Sequence, residues 1–291
     1  MDFYGESLPV FKSSLHTHST VSDGDFPPAE LIRRYREAGY DVLAFSDHHT
    51  TNPVSTYNDL GMTLISGIEI HPMGPRDVLW HLLALGVPES LPGRYATAQE
   101  AIDAVRAAGG IVFCAHPTGY FTAQDILALR GLTGIEVANT NGRFTGRESN
   151  EGCWRDLIAE GWHCPALAVD DTHTPCDLFQ NWTMIAAPDR RPETLLRALA
   201  SGHFYATQGP EFKRLSWHDG VFEAEFTEVV EALVYGFPGV DIVATPGFPT
   251  PETAPRLTKL VSRPGKNFRG HLRCRIRDAR NRCAWSQPIA I

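Results

Sequence analysis

The feature that most constrains this chain is a recurrence. From about residue 13 to 210, short apolar runs of β type alternate with helical patterns, and most of the runs carry a histidine or a carboxylate at or near their end. The runs are SSLHTHS, DVLAFSDH, LISGIEI, VLWHLLALGV, GIVFCAHP, GIEVANT, PALAVDDTH and WTMIAA. Such alternation is the signature of a parallel α/β architecture. Helix starts are readable between the runs. Pro27 and Pro28 precede AELIRRYREAG, and Thr97 with Glu100 makes a capping box before AIDAVRAAGG. Thr122 with Asp125 opens a third helix, RPETLLRALASG closes the series, and Gly39, Gly109, Gly131 and Gly161 stand where helix C-caps are expected.

Beyond residue 210 the pattern changes. LSWHDGVFEAEF, EALVYGF, LTKLVS, HLRCRIRDA and CAWSQPIAI are short alternating segments between Gly, Pro and Asp turns, with no helical period. The expectation is an α/β unit over residues 1–210 and a small all-β, sandwich-like domain over 211–291. PGFPTPETAP reads as a Pro-rich surface loop.

Composition narrows the function classes. A formal charge of −8 argues against long nucleic acids as partners, since gripping a phosphate backbone takes a basic face. A small anionic substrate stays open, because bound divalent cations reverse the local field. No run of 18 apolar residues is present to cross a bilayer. MDFYGESLPVFKSSLH carries no export pattern, and the six cysteines show no C-x-x-C pair, so a cytoplasmic location with reduced thiols is expected.

Nine ionisable residues sit at or near the C-terminal ends of these runs: His16, His18, Asp23, His48, Glu69, His81, His116, Asp171 and His173. In a β/α barrel the loops at that face build the active site, so residues far apart in sequence converge on one pocket. Alternation along a strand sends His16 and His18 the same way, and couples Asp171 to His173. Imidazole plus carboxylate suits Zn, Fe or Mn, and nine such groups exceed what one ion needs, so two or three metal ions are expected. A lone histidine at a strand end is ordinarily a structural residue. Nine ionisable groups aimed into one mouth without metal would carry a large desolvation cost. His49 and His71 lie close enough to act as outer donors, while Cys114 and Ser46 read as packing residues. Arg143 and Arg147 in NTNGRFTGRES are candidate phosphate forks, and Trp80, Tyr120, Phe121 and Phe144 a candidate apolar wall.

These residues, in this order, resemble the PHP superfamily, the polymerase and histidinol phosphatase family of metal-dependent phosphoesterases. LHTHSTVSDG is similar to its first motif, SDHH to its second, AHP to its third and DDTH to its fourth, over roughly residues 13–210. The resemblance implies a distorted seven-stranded β/α (TIM-like) barrel and a trinuclear cluster. One ion would fall to His16, His18, Glu69 and Asp171. Glu69 would bridge to a second at His81 and His116, and Asp23, His48 and His173 would hold a third. The form VDDTH, the YATQGP segment and the AWSQPI ending are similar to the CehA/McbA-like subgroup, which includes carbaryl hydrolase. The implied activity is hydrolysis by a metal-bound hydroxide, with His48 or His173 as proton donor when not ligating. Three readings stay open: a phosphoesterase on a small phosphorylated metabolite or nucleotide, a carbamate or carboxylic ester hydrolase, and a non-catalytic metal-binding domain.

Overall fold

In a computed structural model, residues 1–237, 239–244, 256–264 and 269–291 are described, so PGFPTPETAP lies outside the described residues. The fold is mixed α/β. Seven strands follow one another around a curled sheet: β1 (Val10–Ser14), β2 (Val42–Phe45), β3 (Thr63–Ile70), β4 (Leu82–Leu85), β5 (Ile111–Cys114), β6 (Gly134–Asn139) and β7 (Ala166–Val169). The pairs β1–β2, β2–β3, β5–β6 and β6–β7 are parallel, whereas β4 runs antiparallel to both neighbours.

Strand faces explain the apolar runs. In β5, Val112 and Cys114 pack in one cluster with residues of the second and third helices, while Ile111 and Phe113 enter another with Leu83 and Leu167. Strands buried on both faces need no polar alternation. The helices are α1 (Pro28–Glu37), α2 (Ala98–Ala107), α3 (Ala123–Leu127), α4 (Glu151–Ala159) and α5 (Pro192–Ala200). Both expected capping boxes are formed, Thr97 with Glu100 and Thr122 with Asp125. Gly39, Gly109 and Gly161 each follow a helix C-cap with positive φ. Gly131 does not: α3 ends at Leu127 with its C-cap at Ala128, which leaves that glycine in the next turn.

The closed TIM-like ring expected from the sequence is not what the strand pairing draws. Among the described residues, β7 meets β1 only through a parallel bridge at the mouth, Thr17 to Thr172, where His18 N–H donates to the Thr172 carbonyl at 2.9 Å. The rest of the free edge of β7 is satisfied by side chains. Thr183 Oγ1 bonds both the N–H and the carbonyl of Ala168 (3.3 and 3.0 Å), and the Gln287 amide does the same for Ala166 (2.7 and 3.0 Å). Buried backbone groups must find partners, and here two side chains stand in for a strand.

The sheet then runs on past residue 210. Strands β8 (Trp182–Ala186) and β9 (Phe204–Thr207) extend it antiparallel from β1, and β9 pairs with Cys283–Ser286. A second sheet holds Phe212–His218, Val221–Val229 and Leu257–Ser262, with the N-terminal Asp2–Phe3 alongside. Residues from both sheets share one core that includes Phe3, Tyr205, Phe222, Val234 and Leu272. No described helix is long and apolar enough to cross a membrane.

Candidate metal centre

Six of the seven strands deliver a candidate residue to the same mouth. His16 and His18 follow β1, His48 follows β2, Glu69 lies near the end of β3, His116 follows β5, and Asp171 and His173 follow β7. His81 arrives differently. The expected strand VLWHLLALGV is shorter, Leu82–Leu85, and His81 precedes it rather than ending it. Because β4 is antiparallel, its N-terminal end opens on the same side as its neighbours' C-terminal ends. Two of these residues hold left-handed backbone, His116 (φ 28) and Asp171 (φ 53), a conformation that side chains avoid unless the surroundings enforce it.

Four side chains converge at the centre. His16 Nε2 and His18 Nε2 lie 3.2 and 3.1 Å from Asp171 Oδ1, and 3.5 and 3.4 Å from Glu69 Oε2. All four residues are buried. The imidazole Nε2 atoms and Asp171 Oδ1 nonetheless make no hydrogen bond. Orphaned buried polar atoms are costly, and ligands about 2.0–2.2 Å from one ion stand roughly 3.0–3.5 Å from each other. The donor set therefore fits a divalent metal. Glu69 Oε1 faces His81 Nδ1 (2.9 Å) and His116 Nε2 (3.6 Å) on one side. On the other, Asp23 faces His48 Nε2 (3.4 Å) and His173 Nε2 (3.6 Å). Four overlapping groups of donor atoms are thus able to bind metal, and three of them together take in all nine sequence candidates.

Electrostatics favours the ligating form at Glu69, Asp171 and His18, whereas at His16, His48 and His116 the facing carboxylates override burial and raise the imidazole toward its protonated form. Burial would raise the carboxyls of Glu69 and Asp171, but the facing His16 overrides it and drives both well below the ordinary range. Burial also opposes charge on His18, and there it prevails, lowering the imidazole. Anionic carboxylates and neutral imidazoles are what a metal requires.

Three acids that hold the cluster in place escaped the sequence reading. Glu136, buried in β6, accepts from His16 Nδ1 at 2.7 Å and from His116 N–H at 2.8 Å. A carboxylate can only accept, so His16 carries its proton on Nδ1 and turns the Nε2 lone pair to the centre. Asp47 accepts from the N–H and hydroxyl of both Ser19 and Ser22, which fixes the loop carrying Asp23. That loop also needs Gly24, since a Cβ there would sit 2.3 Å from the His18 carbonyl oxygen. Asp170 accepts from Thr140 and from the N–H groups of Phe179, Gln180 and Asn181, and burial pushes its carboxyl up to about 7. The only signal for Glu136 was an acid inside an otherwise apolar strand.

A cavity of about 190 Å³ opens over the cluster, with Tyr120, Asn141 and Arg147 on its wall. Arg147 stacks on the Tyr120 ring at 3.6 Å from its centroid, and among the described residues it has no ion-pair partner. Arg143 is directed elsewhere, donating to the Cys176 carbonyl (2.9 Å) and to Asp177 (3.2 Å). Trp80 and Phe121 stack on each other at 3.9 Å and are buried in the core, and Phe144 is exposed. His49 donates from Nδ1 to the Gly93 carbonyl at 3.0 Å.

Residues 14–127 match the PHP domain. Stretches of the chain are similar to known proteins: 41% identical over 63 residues to a 5'-3' exoribonuclease of Haemophilus influenzae, and 35% identical over 83 residues to a phosphoribosyl 1,2-cyclic phosphate 1,2-diphosphodiesterase of Eggerthella lenta. Those stretches are 20% and 27% of this chain and span only 23% and 32% of the two relatives. The whole fold is similar to a two-domain Bacteroides vulgatus protein containing a predicted PHP-like metal-dependent phosphoesterase. That likeness has a TM-score of 0.56 at 16% identity and covers 98% of this chain and 95% of the other. The matched segment begins at Ser14, the last residue of β1, and takes in every cluster residue as far as His116, while Asp171 and His173 lie beyond it.

Proposed function

We propose that the protein is a metal-dependent phosphoesterase acting on a small phosphorylated metabolite or nucleotide in the cytoplasm, with residues 1–210 as the hydrolytic unit and 211–291 as an attached β unit. The observation that carries this reading is the unspent cation beside the cluster: Arg147, held over Tyr120 on the wall of the cavity above Glu69, His81 and His116. A guanidinium without a carboxylate partner at the edge of a metal centre suits an anionic substrate. The names of the exoribonuclease and cyclic-phosphate diesterase relatives support phosphoester chemistry, and the modest cavity supports a small group at the reacting end.

His16, His18, Glu69 and Asp171 would hold one ion, Glu69, His81 and His116 a second, and Asp23, His48 and His173 a third, in a donor set suited to Mn, Fe or Zn. Such ions lower the pKa of bound water from 15.7 to about 7 and neutralise charge on the ester. The chain's own groups orient and supply protons. Arg147 and Tyr120 position the phosphoryl group. His173 donates its Nδ1 proton to the Asp171 carbonyl at 2.9 Å, which keeps Nε2 toward Asp23 and the cavity. His48 and His173, when protonated and not ligating, would give a proton from Nε2 to the leaving oxygen.

The test compares p-nitrophenyl phosphate, bis-p-nitrophenyl phosphate and p-nitrophenyl acetate in wild type and Arg147→Ala. Phosphoester KM should rise about tenfold in the variant, the loss of one charged hydrogen bond. Turnover of the acetate alone, indifferent to Arg147→Ala, would replace this reading with a carbamate or carboxylic ester hydrolase.

A further inference from the structure

Six buried side-chain atoms around the mouth share one signature: each faces a carboxylate or imidazole, and none makes a hydrogen bond. They are His16 Nε2, both ring nitrogens of His18, His48 Nδ1, Asp171 Oδ1 and His71 Nε2. Five belong to residues already placed in the three metal groups. The sixth belongs to His71, which none of those groups uses.

His71 stands two positions beyond Glu69, so its side chain leaves the chain on the same face. Its ring stacks on His81 (3.8 Å, 25°) and meets His48 edge-on (4.5 Å, 64°). His71 Nε2 lies 3.4 Å from Glu69 Oε2, the same spacing that His18 Nε2 keeps from that oxygen. His48, Glu69 and His71 each bring a ligand atom to within 4.8 Å of the others. His48 takes part in two groups through different nitrogens, Nε2 toward Asp23 at 3.4 Å and Nδ1 toward Glu69 Oε2 at 2.9 Å. A neutral imidazole has one lone pair, so His48 serves one group at a time. Asp23, on the outer side, has a side chain 54% exposed, which makes that corner the one most open to water.

We propose that His71 is a metal ligand, and that His48 Nδ1, Glu69 Oε2 and His71 Nε2 form an alternative position for the outermost ion, exclusive with the position between Asp23, His48 and His173. The proposal rests on the mouth being a metal centre. It makes the outermost ion a shared one, held on either side of His48, and gives the imidazole of His71 a role that packing alone does not explain.

The experiment is a manganese titration of metal-free protein, read as bound equivalents by elemental analysis after gel filtration and as affinity by competition with a chelator. The variants are His173→Ala, His71→Phe and the double substitution. Phenylalanine keeps the stack on His81 while removing both nitrogens, and His71→Asn with a thermal unfolding scan covers the case in which the larger ring disturbs folding. Each single variant should keep the wild-type number of equivalents while its weakest-bound manganese is held on the order of tenfold less tightly. The double variant should lose one equivalent. Overturning results are His71→Phe and His71→Asn with unchanged equivalents and affinity, or His173→Ala alone losing the equivalent with nothing further lost on adding His71→Phe. Wild-type protein that takes up no manganese at all would instead overturn the metal-centre reading on which the proposal stands.

Discussion

Two clusters of charge lie within this fold, and their difference separates function from architecture. At the mouth, His16, His18, Glu69 and Asp171 face one another across 3.1–3.5 Å with ring nitrogens and a carboxylate oxygen left unbonded. Between α4 and the C-terminal strands, acids and bases pair off. Glu231 accepts from Arg275 Nη2 (2.9 Å) and from Arg277 Nε and Nη2 (3.2 and 2.9 Å), while Glu151 accepts from Arg275 Nη1 (2.9 Å) and from the Trp285 indole N–H. Arg273 beside them packs its guanidinium between the Trp154 and Tyr235 rings. Charges that satisfy each other hold elements together. Like donors gathered around one point suit a cation.

The comparison breaks most severely at Asp171. Asp171→Asn keeps the shape but removes the anion facing His16 and His18, and phosphoester turnover should fall on the order of 10³-fold, with unfolding temperature of the metal-free protein little changed. Initial rates and a thermal scan on the same preparation check both halves. The opposite pattern is expected at the paired cluster. Glu231→Gln leaves Arg277 without its carboxylate and Arg275 with Glu151 alone, and should cost about 2–4 kcal/mol of stability in denaturant unfolding, with metal equivalents unchanged. Glu136→Gln tests whether the acid behind a ligand matters: metal affinity should drop about 10–100-fold with the fold intact, measured by chelator competition.

The smallest effect concerns pH. Burial, then the neighbouring His163 and Arg273, push His271 down to about 4 from an ordinary 6.5. Folded protein keeps this ring neutral where the unfolded chain takes up a proton, so its contribution is complete above pH 6.5 and is lost as pH falls toward 4. His271→Phe should therefore flatten the decline of the denaturation midpoint across that window. An unchanged slope would contradict the assignment.

What was legible in the sequence follows from how local each signal is. His16 and His18 declare themselves through strand alternation, and the capping boxes at Thr97 and Thr122 through spacing of three residues. His81 reaches the mouth although its strand is shorter than the sequence suggests, because reversal of β4 brings its leading end there. Glu136 was hidden because its partner His16 lies 120 positions away. The seam at β7 was hidden for the same reason, since Gln287 bonds Ala166 across 121 positions. The run past residue 210 read correctly as strands, but nothing local revealed that Cys283–Ser286 would pair with β9 and continue the same sheet.

The central claim is that the mouth is a metal centre that hydrolyses phosphoesters. Its most direct test is elemental analysis of protein reconstituted with Mn, Fe or Zn, paired with bis-p-nitrophenyl phosphate turnover before and after chelation. The account predicts two or three equivalents and activity that disappears with the chelator and returns with metal. Less than one equivalent, with no turnover at any metal loading, would contradict it.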